Sequence, residues 1–192
     1  MIASTEEVAR SLTGAWDFLH RRTGGVRRFD FSARGFFHSF WSLPVAAPAF
    51  IGAVAAERAE RGLLVQGAGL FDDPDPIFAA AVLFAAGWLI LPVLAWCVTG
   101  LLGLRGRMPA FIIACNWSNV IGAIFLAAPS ILYALGWATD ALAWFYGLAF
   151  LLVAAEMRWF MARVTLGVSS GVAAVLIGAE VVCGLTLRLA VG

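Results

Sequence analysis

Three side chains stand where a lipid environment would make them expensive. Asn116, Asn119 and Glu180 lie inside long apolar runs. Such groups can hydrogen-bond between helices, hold a solute or cation, or pass a proton. A carboxylate in hydrocarbon costs several kcal/mol unless it is paired, hydrated or protonated, so Glu180 must face protein. At 100° per residue Asn116, Asn119, Ala123, Ala127 and Ser130 share one stripe about a quarter-turn wide. Small and polar residues on one face let membrane helices approach and hydrogen-bond. Helix packing is therefore the first reading of the stripe, and a solute or lipid-headgroup site is the functional one. Glu180 lies about fourteen residues into the last apolar run, roughly 20 Å along a helix. Asn119 reaches a similar depth, which makes a Glu180–Asn119 contact the expected one. The expected topology places no basic partner at that depth.

The segment Gly167-Val168-Ser169-Ser170-Gly171 allows two chemistries. Read as GxxxG, it begins a small-residue stripe of Gly167, Gly171, Ala174 and Gly178 for close helix contact. Read as G-x-S-x-G, it matches a hydrolase nucleophile elbow, which requires a preceding strand. No strand pattern precedes it, so an intramembrane hydrolase is a remote alternative resting on Ser169. On a helical wheel Glu180 points nearly opposite the small-residue stripe. The last helix should therefore be contacted on both sides, by sitting centrally or by meeting a second copy of the chain.

Cys97, Cys115 and Cys183 match no metal or redox spacing and read as small buried hydrophobes. No phosphate loop, zinc-spaced histidine pair or haem-attachment motif is present. Neither a cofactor nor a metal is expected. With so few titratable residues in the apolar region, the chain reads as non-enzymatic.

These residues need helices in lipid to hold them. Of 192 residues 62% are hydrophobic and 13% charged; mean hydropathy is +0.90. Soluble chains carry about 25% charged residues, so lipid must solvate much of this surface. No barrel-like alternation appears, and the pattern predicts an all-α polytopic membrane bundle. Five transmembrane helices are expected at about 35–55, 77–104, 108–135, 140–159 and 164–187. The third, which is long enough to span and uncharged, is the one the others pack around. Pro44 and Pro48 should kink the first span, which is read as uncleaved despite the peptidase-like Ala53-Val54-Ala55. The second is longer than the hydrocarbon core and must tilt, bend at Pro92 or emerge. Residues 1–34 form a cytoplasmic segment before a transmembrane domain at 35–192. It starts with a short amphipathic helix, with Ser4 and Glu7 at capping-box spacing. That helix is expected either at the membrane interface or packed on protein.

Arg21, Arg22, Arg27, Arg28 and Arg34 follow as a candidate lipid-headgroup segment, each attracted to anionic lipid by about 1 kcal/mol. Ser32 can cap the next helix. Glu156 reads as a surface acid within reach of Arg34 or His38. All thirteen basic residues are Arg, which with abundant Ala and Gly fits a GC-rich bacterial genome. Ten fall on one side of the five-span topology, and Arg58, Arg61 and Arg188 on the other. Short-loop arginines mark the cytoplasm. The expected location is a bacterial inner membrane, with the N-terminus cytoplasmic and the C-terminus periplasmic. A net charge of +1 gives no reason to expect nucleic acid.

Five spans after a cytoplasmic segment, the basic hinge Arg105-Gly106-Arg107-Met108-Pro109 and a small-residue stripe in the last span resemble the Yip1 family of small membrane proteins. Phe29 to Pro48 is also similar to the start of short proteobacterial membrane proteins. The family's Tyr-Gly-Pro-type signatures are missing, so no functional residue is carried over. The resemblance implies a five-helix bundle that works through lipid, other membrane proteins or itself. The expected function is a membrane-organising scaffold; the alternative is a small transporter or channel subunit using Glu180 and Asn119.

Overall fold

A computed structural model describes residues 3–60 and 74–191. Asp72, Asp73 and Arg61, and the side chains of Pro74 and Asp75, lie outside the described residues. All regular elements among the described residues are helical. The order is α1 (Thr5–Leu19), a 3₁₀ segment (Thr23–Arg28), α2 (Ala33–Ser39), α3 (Ser42–Glu60), α4 (Pro74–Leu102), a 3₁₀ turn (Arg105–Arg107), α5 (Met108–Ala134), α6 (Asp140–Leu166) and α7 (Ser170–Val191). Five helical stretches are long and apolar enough to cross a membrane: 33–56, 80–102, 105–134, 140–166 and 170–190.

Helix α1 starts where expected, with the Glu7 N–H donating to Ser4 Oγ at 3.2 Å. It lies on protein, settling the choice posed by its amphipathic pattern. Ala15 and Phe18 are fully buried, and the Phe18 ring packs against Phe29 at 5.5 Å and Phe160 at 6.1 Å. The following 3₁₀ segment folds back on α1 through two glycines. A Cβ on Gly25 would stand 2.7 Å from the Gly14 carbonyl oxygen, so only glycine permits this approach.

The first span is two helices rather than one kinked helix. It breaks at Phe40–Trp41, a turn before the expected kink. Pro44 has no N–H for the Phe40 carbonyl, and its ring would crowd that oxygen in a continuous helix. Pro48 and Pro92, by contrast, sit inside uninterrupted α3 and α4. Another boundary also moves. Helix α6 runs to Leu166, not Trp159, and Val164–Leu166 belong to it rather than to the last span. Gly167 ends it with φ 65°, the left-handed conformation that glycine adopts without penalty. Ser169 then caps α7, accepting from the Val172 N–H at 3.3 Å.

Helix α5 is the centre of the bundle, packed most extensively by α3 and α6 and touched by α1, α2 and α4. All ten residues from Ile113 to Gly122 are buried. Beyond them, Ile124 and Leu126 are about half exposed. Helix α6 shows the same division: no residue of Asp140–Val153 is buried, while seven of Ala154–Leu166 are. In α7 the buried residues are Ala173, Leu176, Ile177 and Glu180. One half of the bundle is therefore wrapped by the N-terminal segment, and the other presents apolar side chains outward. Trp137 and Trp144 are exposed at the far end of that second half, as suits an interfacial aromatic belt.

Candidate functional site

Two of the three expensive residues, Asn119 and Glu180, meet in the wrapped half, joined by a residue the sequence reading placed elsewhere. Antiparallel packing of α5, α6 and α7 brings Asn119, Arg158 and Glu180 to one level. Arg158 Nη1 donates to Glu180 Oε1 at 2.7 Å, and Nη2 to Asn119 Oδ1 at 3.1 Å. Glu180 therefore has a basic partner at its depth, contrary to expectation. Its link to Asn119 runs through one guanidinium. The longer α6 explains this. Arg158 stands eight residues before the helix end, about 12 Å inside, and Glu180 ten residues into α7, about 15 Å inside. The glycine at 122 leaves room for the guanidinium, whose Nη2 would sit 3.4 Å from a Cβ there.

The remainder of the cluster is short of partners. Glu180 Oε2 and Arg158 Nε are buried and make no hydrogen bond among the described residues. Asn119 Nδ2 points to Cys115 Sγ at 3.8 Å. Asn116 serves a different contact, donating to Ser39 Oγ at 2.9 Å and tying α5 to the end of α2. The two amides thus share a helix but not a site. Of their stripe, Ala127 is buried while Ala123 and Ser130 are half-buried. This arrangement neutralises a buried carboxylate and cross-links three helices.

Three other acids of this end, Glu7, Asp17 and Glu156, are also paired, each in a contact that involves the N-terminal segment. Glu156 pairs with Arg21 rather than with Arg34 or His38. Asp17 pairs with Arg28 at 2.7 Å and with Arg22 at 3.6 Å. Buried His38 places Nδ1 against both oxygens of Glu7, at 3.0 and 2.9 Å. Three of the five candidate headgroup arginines are thus held by acids. Arg27 and Arg34 have no ion pair among the described residues, and neither does Arg10. Asp30 lies close to two of these. The backbone N–H of Ser32 donates to it at 2.9 Å and holds its carboxyl below the usual carboxylate range. The Ser32 hydroxyl and the charges of Arg10 and Arg34 act in the same direction.

The small-residue stripe does not pack inside the chain. Gly167 is the cap of α6, where Arg107 Nη1 donates to the Leu166 carbonyl at 2.7 Å. A side chain at Gly167 would collide with that guanidinium. Gly171, Ala174 and Gly178 are exposed, and a Cβ on either glycine would meet nothing within 4 Å. Glu180 points inward and the stripe outward, the opposition the wheel requires. However, α7 sits at the rim, packed by α4 and α6, and is not central. Cys115 is buried as expected, whereas Cys97 and Cys183 are exposed. No group of His, Cys, Asp and Glu among the described residues could hold a metal ion.

Arg158, Ser39 and the Glu7–His38 pair are the participants that sequence reasoning missed. A signal for Arg158 existed: Gly167 is a ready αL cap, and extending the helix to it carries Arg158 two turns inward. No family profile, curated protein or solved structure matches this chain.

Proposed function

We propose that this chain is a non-enzymatic integral inner-membrane protein that organises its surroundings as a scaffold, holding lipid and protein partners at its arginine-rich, cytoplasmic end. The observation that carries this reading is where the charged groups go. The acids Glu7, Asp17, Glu156 and Glu180 are consumed in fastening α1, the 3₁₀ segment, α2, α6 and α7 together. A transport pathway needs a carboxylate that can exchange partners, and here Arg158 occupies Glu180. The hydrolase alternative needs a free Ser169 hydroxyl, and that hydroxyl accepts from the α7 backbone. Two cavities among the described residues have almost wholly apolar linings, and neither of these is lined by Asn119, Arg158 or Glu180. The likeness to the Yip1 family supports this reading at the level of architecture alone.

The test compares two variants of the full chain, captured from crosslinked membranes. Phe18→Ala removes a fully buried anchor of α1, at a cost of about 3–5 kcal/mol, and should cut partner recovery severalfold while the protein still inserts. Glu180→Gln should leave recovery near that of the wild type. The reverse pattern, with partners retained by both variants and a solute flux lost in Glu180→Gln, would make the chain a transporter.

A further inference from the structure

Helix α1 does not close completely on the bundle. Leu12 and Trp16 of α1, Val45 of α3, and Ile121, Ile124 and Phe125 of α5 line a groove of about 410 Å³. Its lining is almost entirely apolar. It begins where the all-round burial of α5 ends, at Gly122, and where exposed apolar surface takes over. In a membrane that surface meets acyl chains, and the α5 wall of the groove lies about 20–25 Å along the helix from Met108, within reach of an acyl chain descending from the arginine-rich side. Trp16, half exposed, stands at its edge.

Size decides between a lipid and a helix as occupant. The groove is open to the surface, so a helix about 10 Å across would rest on its mouth rather than enter it. A single acyl chain fits. Charge decides the kind of lipid. Ten arginines occupy this end, on the N-terminal segment, the Arg105–Arg107 turn and the end of α6, against six acids. Asp17, Glu156 and Glu180 are ion-paired with arginines and Glu7 is held by His38, while Arg10, Arg27 and Arg34 have no ion pair among the described residues. Such a surplus favours anionic headgroups. We propose that the groove between α1 and α5 holds one acyl chain of an anionic phospholipid from that leaflet. The inference rests on the lipid-partner part of the scaffold reading and names its site and lipid class.

Full-length protein in nanodiscs of phosphatidylglycerol and phosphatidylethanolamine, each with a diazirine in the acyl chain in parallel samples, provides the test. On illumination, phosphatidylglycerol should label residues 121–125 of α5 or 12–16 of α1. Labelling by phosphatidylethanolamine should be weaker by about tenfold, the discrimination of one well-placed charge contact. Ile124→Trp, at a half-exposed position, fills the groove and should cut the labelling by a similar factor; Ile124→Ala leaves it open and should retain it. Equal labelling by both lipids overturns the anionic preference. Labelling confined to other helices, or unchanged by Ile124→Trp, overturns the site, as does a crosslink between two copies of the chain through Ile124. A chain that keeps its protein partners yet shows no groove labelling ends this inference and leaves the scaffold reading standing. Loss of both ends both.

Discussion

Arg158 carries two hydrogen bonds from one guanidinium, to Glu180 and to Asn119. Burying a charge pair in this way adds little net stability, because desolvation offsets the attraction. Breaking it is another matter. Glu180→Ala leaves an uncompensated arginine in the wrapped half of the bundle, and Arg158→Ala leaves an uncompensated carboxylate. Each should destabilise by about 3–5 kcal/mol, whereas Arg158→Met with Glu180→Leu should recover most of that loss. Thermal unfolding of the purified protein in detergent reads the difference. Additive losses in the double variant would show that the pair is not one unit. Glu180 was legible as a group that must face protein, because an acid in an apolar run has no inexpensive alternative. Its partner was not, because ending α6 at Trp159 puts Arg158 at the membrane surface. Seven further helical residues, Phe160 to Leu166, change a surface charge into an interior one.

The N-terminal elements show how local signals and tertiary packing divide the work. Ser4 and Ser32 both cap the helices their spacing announces, since capping involves only neighbours in sequence. The break at Phe40–Trp41 was misplaced for a related reason: a proline acts on the carbonyl four residues before it. The docking of α1 on α5 and α6 was undecidable from its pattern, because an apolar face suits lipid and protein equally. At the start of α2, Ser32 donates to Asp30 while Gly35 packs so close that a Cβ would overlap the Asp30 carbonyl. The depressed Asp30 carboxyl makes this junction sensitive to acid. Its stabilising contribution is complete above the unfolded value of about 3.9 and is lost as pH falls through the lower folded value. The carboxyl carbon resonance of Asp30 should therefore titrate below about 3.9. Ser32→Ala should raise that midpoint only partway, since the backbone donor is the larger cause. A wild-type midpoint at the free-peptide value would show that the hydrogen bond does not persist in solution.

At the scale of the molecule, hydropathy identifies the five crossing helices because their length and apolar content are extreme. It does not distinguish an apolar residue that meets a neighbouring helix from one that meets lipid, since both surroundings are equally apolar. That is why the sequence left open whether the small stripe of α7 meets another helix or a second copy of the chain; within the chain Gly171 and Gly178 face outward. It is also why the unequal burial of the two ends was invisible. The wrapped end is the arginine-rich end, and this links packing to topology. Orientation follows the arginines of short loops, so Arg105, Arg107 and Arg163 should stay in the cytoplasm with the docked α1. Reporter fusions after Arg107 and Arg163 should report cytoplasm, and fusions after Gly69 and at Gly192 the opposite side. Adding arginines to the loop between α3 and α4 should weaken this preference and populate the inverted form. The docked segment should resist that inversion, because carrying it across would transfer the Arg21–Glu156 and Glu7–His38 contacts as well. Removing residues 3–30 should accordingly make the same added arginines more effective. If the truncated and full-length chains invert equally, the arginine count alone sets the topology. A cytoplasmic report from Gly192 would reduce the crossings to an even number and exclude the five-span arrangement.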